Sequence, residues 1–231
     1  RGWLLVICVV LASFVSLSAG AWLMLGLQIG LAVWDKVTKG LPGRWMVLIA
    51  MFIASLVVVS MMSNRSPVQV FISYASFSAQ SSYNRILIWQ YGTAEVGRHP
   101  IFGIGLGEWE RAPWMSASMD NFWLVVAVRY GMPALIFLML AILLVIFRST
   151  AQRNMPVEWT RCRLGWIATI VATSVAACTV HLWNNTFCFF LFMIGSGVWL
   201  TERPRQAAAD WQEEDDMTHI EGDLHGHRWP A

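Results

Sequence analysis

Five long apolar runs set what this chain can fold into. They extend from Trp3 to Trp34, Trp45 to Met62, Phe122 to Phe147, Gly165 to Val180 and Phe187 to Leu200. A helix needs roughly 20 apolar residues to cross the hydrocarbon core, where its backbone groups can bond only to one another. The first run has length to spare and carries Ser13, Ser16, Ser18 and Gly20. It is either one tilted helix or two pieces broken near Ser18-Ala19-Gly20. Pro133, inside the third run, withdraws a backbone donor and predicts a kink. Only 13% of the 231 residues are charged, where a soluble domain carries about 25%. The 14 Trp suit the membrane–water boundary. The expected fold is therefore all-α: a polytopic transmembrane helical bundle of about five spans. One large extracytoplasmic loop containing short helices interrupts it.

This gives a division into 1–62 (two spans), 63–120 (the loop), 121–200 (three spans) and 201–231 (a polar tail). Basic residues favour cytoplasmic loops. Lys36, Lys39 and Arg44 lie in one short loop, Arg148, Arg153, Arg161 and Arg163 in another, and Arg203 and Arg205 after the last span. Five crossings put all three groups in the cytoplasm, with the large loop and the turn at 181–185 outside. The tail, with Glu213-Glu214-Asp215-Asp216 and His219, His225 and His227, has too little apolar surface to fold alone. It is expected to be a disordered cytoplasmic segment, and its His spacing matches no closed metal site. The chain begins at Arg1 in an apolar run too long for a signal peptide, which reads as a truncation of a larger membrane protein. Net charge is only +2, so nucleic acid is not suggested. Cys8, Cys162, Cys178 and Cys188 form no CxxC pair and read as small buried hydrophobes. No phosphate loop or dinucleotide fingerprint occurs.

The large loop holds the chemistry. Arg85 precedes Ile86, Leu87, Trp89 and Tyr91, a pattern that partly fits a helix along the membrane surface. Its guanidinium suits a phosphate, or it snorkels to headgroups. The stretch His99-Pro100-Ile101-Phe102-Gly103-Ile104-Gly105-Leu106-Gly107-Glu108 alternates glycine with apolar residues. It brings backbone close to a ligand or makes a tight turn against the spans. Glu95, Glu108 and Glu110 read individually as solvated. Asp120 and Asn121 open the third run as helix caps, as an anion site, or with Asp120 as a general base. Arg129 lies about 13 Å into that run if the helix is straight. An arginine so deep faces a protein interior or a watery cavity. Glu95, Glu108 or a substrate phosphate are its candidate partners; Asp120 falls on the opposite face of a regular helix.

Taken together, these segments resemble the O-antigen ligase and polymerase superfamily of bacterial surface-polysaccharide enzymes, in its C-terminal portion. The resemblance rests on Arg85 before Trp89, the turn from His99 to Gly107, Asp120-Asn121-Phe122-Trp123-Leu124, and Arg129-Tyr130-Gly131. An upstream element aligns with Ser18-Ala19-Gly20. Two positions depart from the pattern: Asp120 stands where the ligases carry His, and Ala19 where they carry Arg. Both lean toward a polymerase-like or exopolysaccharide branch.

The resemblance implies an inverting, metal-independent glycosyl transfer at the outer face of the inner membrane, with no cofactor. The donor it implies is an undecaprenyl-pyrophosphate-linked glycan, and the acceptor a glycan or lipid hydroxyl. Asp120, Arg85 and Arg129 would be catalytic, with Asn121, His99, Gly103, Gly105, Glu108 and Ser18 contacting substrate. Other polysaccharide-assembly proteins are implied as partners. The rival readings are a polysaccharide or lipid transporter and a non-catalytic membrane subunit of an export system. A transporter would string charges along several spans, whereas here they concentrate in the loop.

Overall fold

The structure, a computed structural model, describes residues 2–16, 18–64, 66–74, 78–152 and 155–201. Arg153, Arg203, Arg205 and the acidic and histidine-bearing tail lie outside the described residues. Among the described residues the chain is helical, with no strand. The helices are α1 (Gly2–Val15), α2 (Ala19–Val37), α3 (Arg44–Met62), α4 (Pro67–Tyr74), α5 (Ala79–Arg98), α6 (Phe122–Ala151), α7 (Val157–Ala176) and α8 (184–201).

The first apolar run resolves as two helices, broken between Val15 and Ala19. α2 packs along α7, and Gly20 permits close approach there: a Cβ on it would sit 3.1 Å from Val180. Arg44 and Asp35 form a 2.5 Å ion pair across the α2–α3 connection. By length and composition, α3 and α6 suffice to cross a membrane. No residue of α3 is buried, as expected of a helix whose surroundings are lipid or other apolar surface.

α6 is broken. Gly131 takes φ 83° and ψ 171°, two residues before the proline that predicts a kink. In an unbroken helix, Arg129 O would accept from residue 133, but Pro133 has no N–H. A buried carbonyl left so costs about 1–3 kcal/mol. The glycine turn after α5 supplies the missing donors. Gly105 N–H donates to Arg129 O (2.9 Å) and Ile104 N–H to Val128 O (2.8 Å), while Met132 N–H donates back to Pro100 O (2.8 Å). Both sides of the contact require glycine. Gly103 has φ 65°, and a Cβ there would lie 2.5 Å from the Arg129 carbonyl. A Cβ on Gly131 would collide with the Ile101 carbonyl.

Two anchored ends measure the bend. Arg163 Nη1 donates to Ser149 O (2.8 Å) and Gln152 O (2.9 Å), and Phe122 N–H donates to Ala177 O (2.9 Å). α7 rises about 21 Å between Arg163 and Ala177, whereas a straight α6 would rise about 40 Å between Phe122 and Ser149. The break absorbs the difference by folding residues 122–130 across the end of the bundle. The expected depth of Arg129 therefore needs correcting: it lies before the break, not partway down a continuous span. Met132–Ala151 alone rises about 30 Å, enough to cross the hydrocarbon core.

The folded-over segment carries both cores. Phe122, Trp123 and Val126 pack with Trp166, Ile170 and Phe190, and Trp123 Nε1 donates to Ser174 O (2.9 Å). Leu124 and Val128 pack with Ile88 of α5 and with Trp109 and Met119 of the return loop. A Cβ on Gly92 would strike Leu124, so α5 and this segment lie close together.

Candidate functional site

α5 positions Arg85. Ser78 caps this helix by accepting from Ser81 N–H (3.2 Å). Ile88, Gly92 and Glu95 are its buried residues, spaced as one face of a helix. The helix runs 20 residues and packs against α6 and α4, more tightly integrated than the surface helix expected. Arg85 is half-buried, and burial pulls its guanidinium below the usual arginine range; the carboxylate of Asp120 partly opposes this.

Asp120 and Asn121 divide their work. Asn121 is the cap: it is 5% exposed, and its side-chain oxygen accepts from Leu124 N–H at 3.0 Å. Its neighbour is thus relieved of capping, and its carboxylate acts electrostatically on Arg85 and on His181. Asn121→Ala is expected to cost about 1 kcal/mol through loss of the cap, read as a lower melting temperature in detergent; Asp120→Ala should act instead by removing the charge that favours the half-buried Arg85 guanidinium.

Arg129 is exposed at the far end of the folded-over segment. Neither carboxylate expected to pair with it does so. Glu95, expected to be solvated, is 5% exposed. It pairs with Arg98 at 2.7 Å and accepts from Glu110 N–H at 3.2 Å. Arg98 also pairs with Glu110. Glu108 pairs with Arg111 at 2.8 Å, and Arg111 stacks over Trp109. The electrostatic neighbour of Arg129 is His181. Both line a small cavity of about 50 Å³, together with Ile104, Gly107, Trp109 and Trp183.

His181 lies in the turn at 181–185, which local pattern marks only as a connection between two apolar helices. Its ring meets Trp183 edge-on at 4.2 Å and lies 6.4 Å from Phe122. Burial lowers its pKa below the ordinary histidine value; Arg129 lowers it further, and Asp120 works the other way. The available signal was a single imidazole in a short turn between two apolar helices.

The structure thus brings Arg85, Asp120, His181 and Arg129 to one end of the bundle, each linked electrostatically to the next. Ser18, the N-cap position of α2, comes near the same end, since Gly20 meets Val180 beside His181. The remaining candidates are occupied otherwise. His99 caps the C-terminus of α5, its ring 3.6 Å from Glu95, and lies about 21 Å along that helix from Arg85. Gly103 N–H donates to His99 O and Gly105 N–H to Arg129 O, so these amides serve the fold.

A model of the family described as O-antigen ligase matches residues 4–139, more than half of the 231-residue chain. The chain belongs to the O-antigen ligase family. A search of curated proteins and a search of solved structures each return no match. The family match ends inside α6, so it covers Arg85, Asp120 and Arg129 but not α7, the His181 turn or α8. Family membership and the apolar helices make this a membrane protein with a glycan ligase or polymerase type of function.

Proposed function

We propose that the chain transfers or polymerises a glycan carried on undecaprenyl pyrophosphate, at the outer face of the bacterial inner membrane. The reading has five crossings, the 63–120 loop outside and the C-terminal tail in the cytoplasm. The observation that carries it is the gathering of Arg85, Asp120 and Arg129, with His181 between, at one end of the helical bundle.

The chemistry follows from charge. An acceptor hydroxyl attacks the anomeric carbon, a new C–O bond forms with inversion, and the bond to pyrophosphate breaks. The bonding pair leaves with the pyrophosphate oxygen, where negative charge develops. Guanidinium groups placed where that charge develops stabilise it: Arg85 from its half-buried position on α5 and Arg129 from the wall of the cavity it shares with His181. Asp120 orients or deprotonates the acceptor, and Asn121 sets Asp120 in place by fixing the start of α6. No metal enters this scheme.

The test is complementation of surface-glycan mutants with the full-length gene, scoring polymer length and attachment to the lipid A core separately. Restored polymer or attached glycan supports transfer; neither product from a correctly inserted protein overturns it. Asp120→Asn should lose more activity than Asp120→His, because the amide accepts no proton at neutral pH. Full activity in both variants would remove Asp120 from the reaction.

A further inference from the structure

We infer that His181, on the turn between α7 and α8, is the catalytic base that takes the proton from the acceptor hydroxyl, which leaves Asp120 the orienting role of the two given above. The inference rests on the transfer reading above and adds a residue outside the family match.

Three observations carry it. First, His181 lines the same small cavity as Arg129, with Gly107, Trp109 and Trp183. Second, its Nδ1 is buried and makes no hydrogen bond among the described residues. A buried imidazole nitrogen without a partner is unfavourable, so an arriving hydroxyl donor gains a strong acceptor. Third, the ring is held, edge-on to Trp183 and tilted against Phe122. Phe122 is itself fixed by its N–H bonds to Ala177 O and Val180 O. A base must be oriented before it can act within hydrogen-bond reach, and these contacts orient this one.

The charged groups acting on the ring are Arg129 of α6 and Asp120 just before it. On its own turn, the neighbouring Cys178 thiol donates to Ser174 O. Burial and Arg129 keep the imidazole neutral at pH 7, in the form that accepts a proton. In the step, the hydroxyl O–H breaks and its proton moves to the imidazole. The oxygen bonds to the anomeric carbon, and the glycosyl–pyrophosphate bond breaks with its electron pair on the leaving oxygen. Asp120 stabilises the imidazolium that results. Donor binding also primes the base, because pyrophosphate on Arg129 offsets the positive charge that depresses the basicity of His181.

The experiment is transfer kinetics with the full-length protein in proteoliposomes, using a synthetic polyprenyl-pyrophosphate glycan as donor. His181→Gln is expected to lower kcat by about 10²–10⁴-fold, with donor KM changed less than about threefold if, as inferred, the residue acts in the chemical step. Wild-type kcat/KM should fall on acidification with an apparent pKa below the ordinary histidine value. The same limb in kcat should lie at higher pH, because bound pyrophosphate screens Arg129. Both limbs should vanish in His181→Gln. Should that variant insert poorly, imidazole added to His181→Gly is expected to restore turnover. A His181→Gln protein with wild-type kcat and an unchanged acid limb would overturn the inference, as would a wild-type profile with no such limb. Wild-type protein that transfers no glycan would instead overturn the transfer reading itself.

Discussion

Arg85→Ala is expected to lower glycan transfer by about 10²–10³-fold while the protein still inserts. The guanidinium is half-buried on α5 and acts with Asp120 rather than lying free at a headgroup surface. Its loss removes charge where the leaving pyrophosphate develops it. Arg85→Lys should recover little of the rate, because a planar fork contacts two phosphate oxygens where an ammonium offers a point charge. Arg129→Ala should behave like Arg85→Ala. The measurement is initial rate with lipid-linked donor, beside quantified membrane insertion. Full activity in both alanine variants would remove the arginines from the mechanism; full activity in Arg85→Lys would leave charge, not geometry, as what matters.

Gly131→Ala is expected to cost at least about 1–3 kcal/mol from backbone strain alone, since φ 83° suits only glycine well. The added Cβ also collides with the Ile101 carbonyl, so the turn at 100–105 must lift away from α6. That exposes the Val128 and Arg129 carbonyls and shifts Arg129 relative to His181. The variant should melt several degrees lower in detergent, lose most transfer activity, and be cut faster by protease within residues 99–119. Gly97→Ala on α5, with nothing within 4 Å of its added Cβ, serves as the control and should be at least as stable as the wild type, since alanine favours the helix over glycine. A Gly131→Ala protein as stable and as protease-resistant as that control would show that the break does not depend on this contact.

The long-range features were the ones the sequence concealed. Apolar length alone carries the helical membrane character, whereas the serines and glycine at 16–20 allow either one tilted helix or two pieces, and the structure has two helices there. Pro133 announced a disturbance in α6, but its place and size depend on Ile101, thirty residues earlier, which makes glycine obligatory at 131. The depth of Arg129 was misjudged for the same reason, since a straight helix was the only geometry local pattern could offer. Glu95 looked solvated because its surroundings include Glu110, brought back by a loop that no periodicity describes. Asp120 and Asn121 both read as caps, and only the fold shows Asn121 doing that work. The family resemblance was legible from the order of Arg85, the glycine turn and Asp120-Asn121; the proximity of His181 to them was not, because sixty residues of chain intervene.

The bonds across the break in α6 also have a direction in time. The ribosome makes residues 99–105 before residues 128–132, so the turn emerges ahead of the interrupted helix. The Val128 and Arg129 carbonyls therefore have their amide donors, Ile104 and Gly105, upstream in the chain. A nascent chain shortened before Arg129 would hold the turn with nothing to clasp, while one extended past Met132 would carry everything needed to lock it.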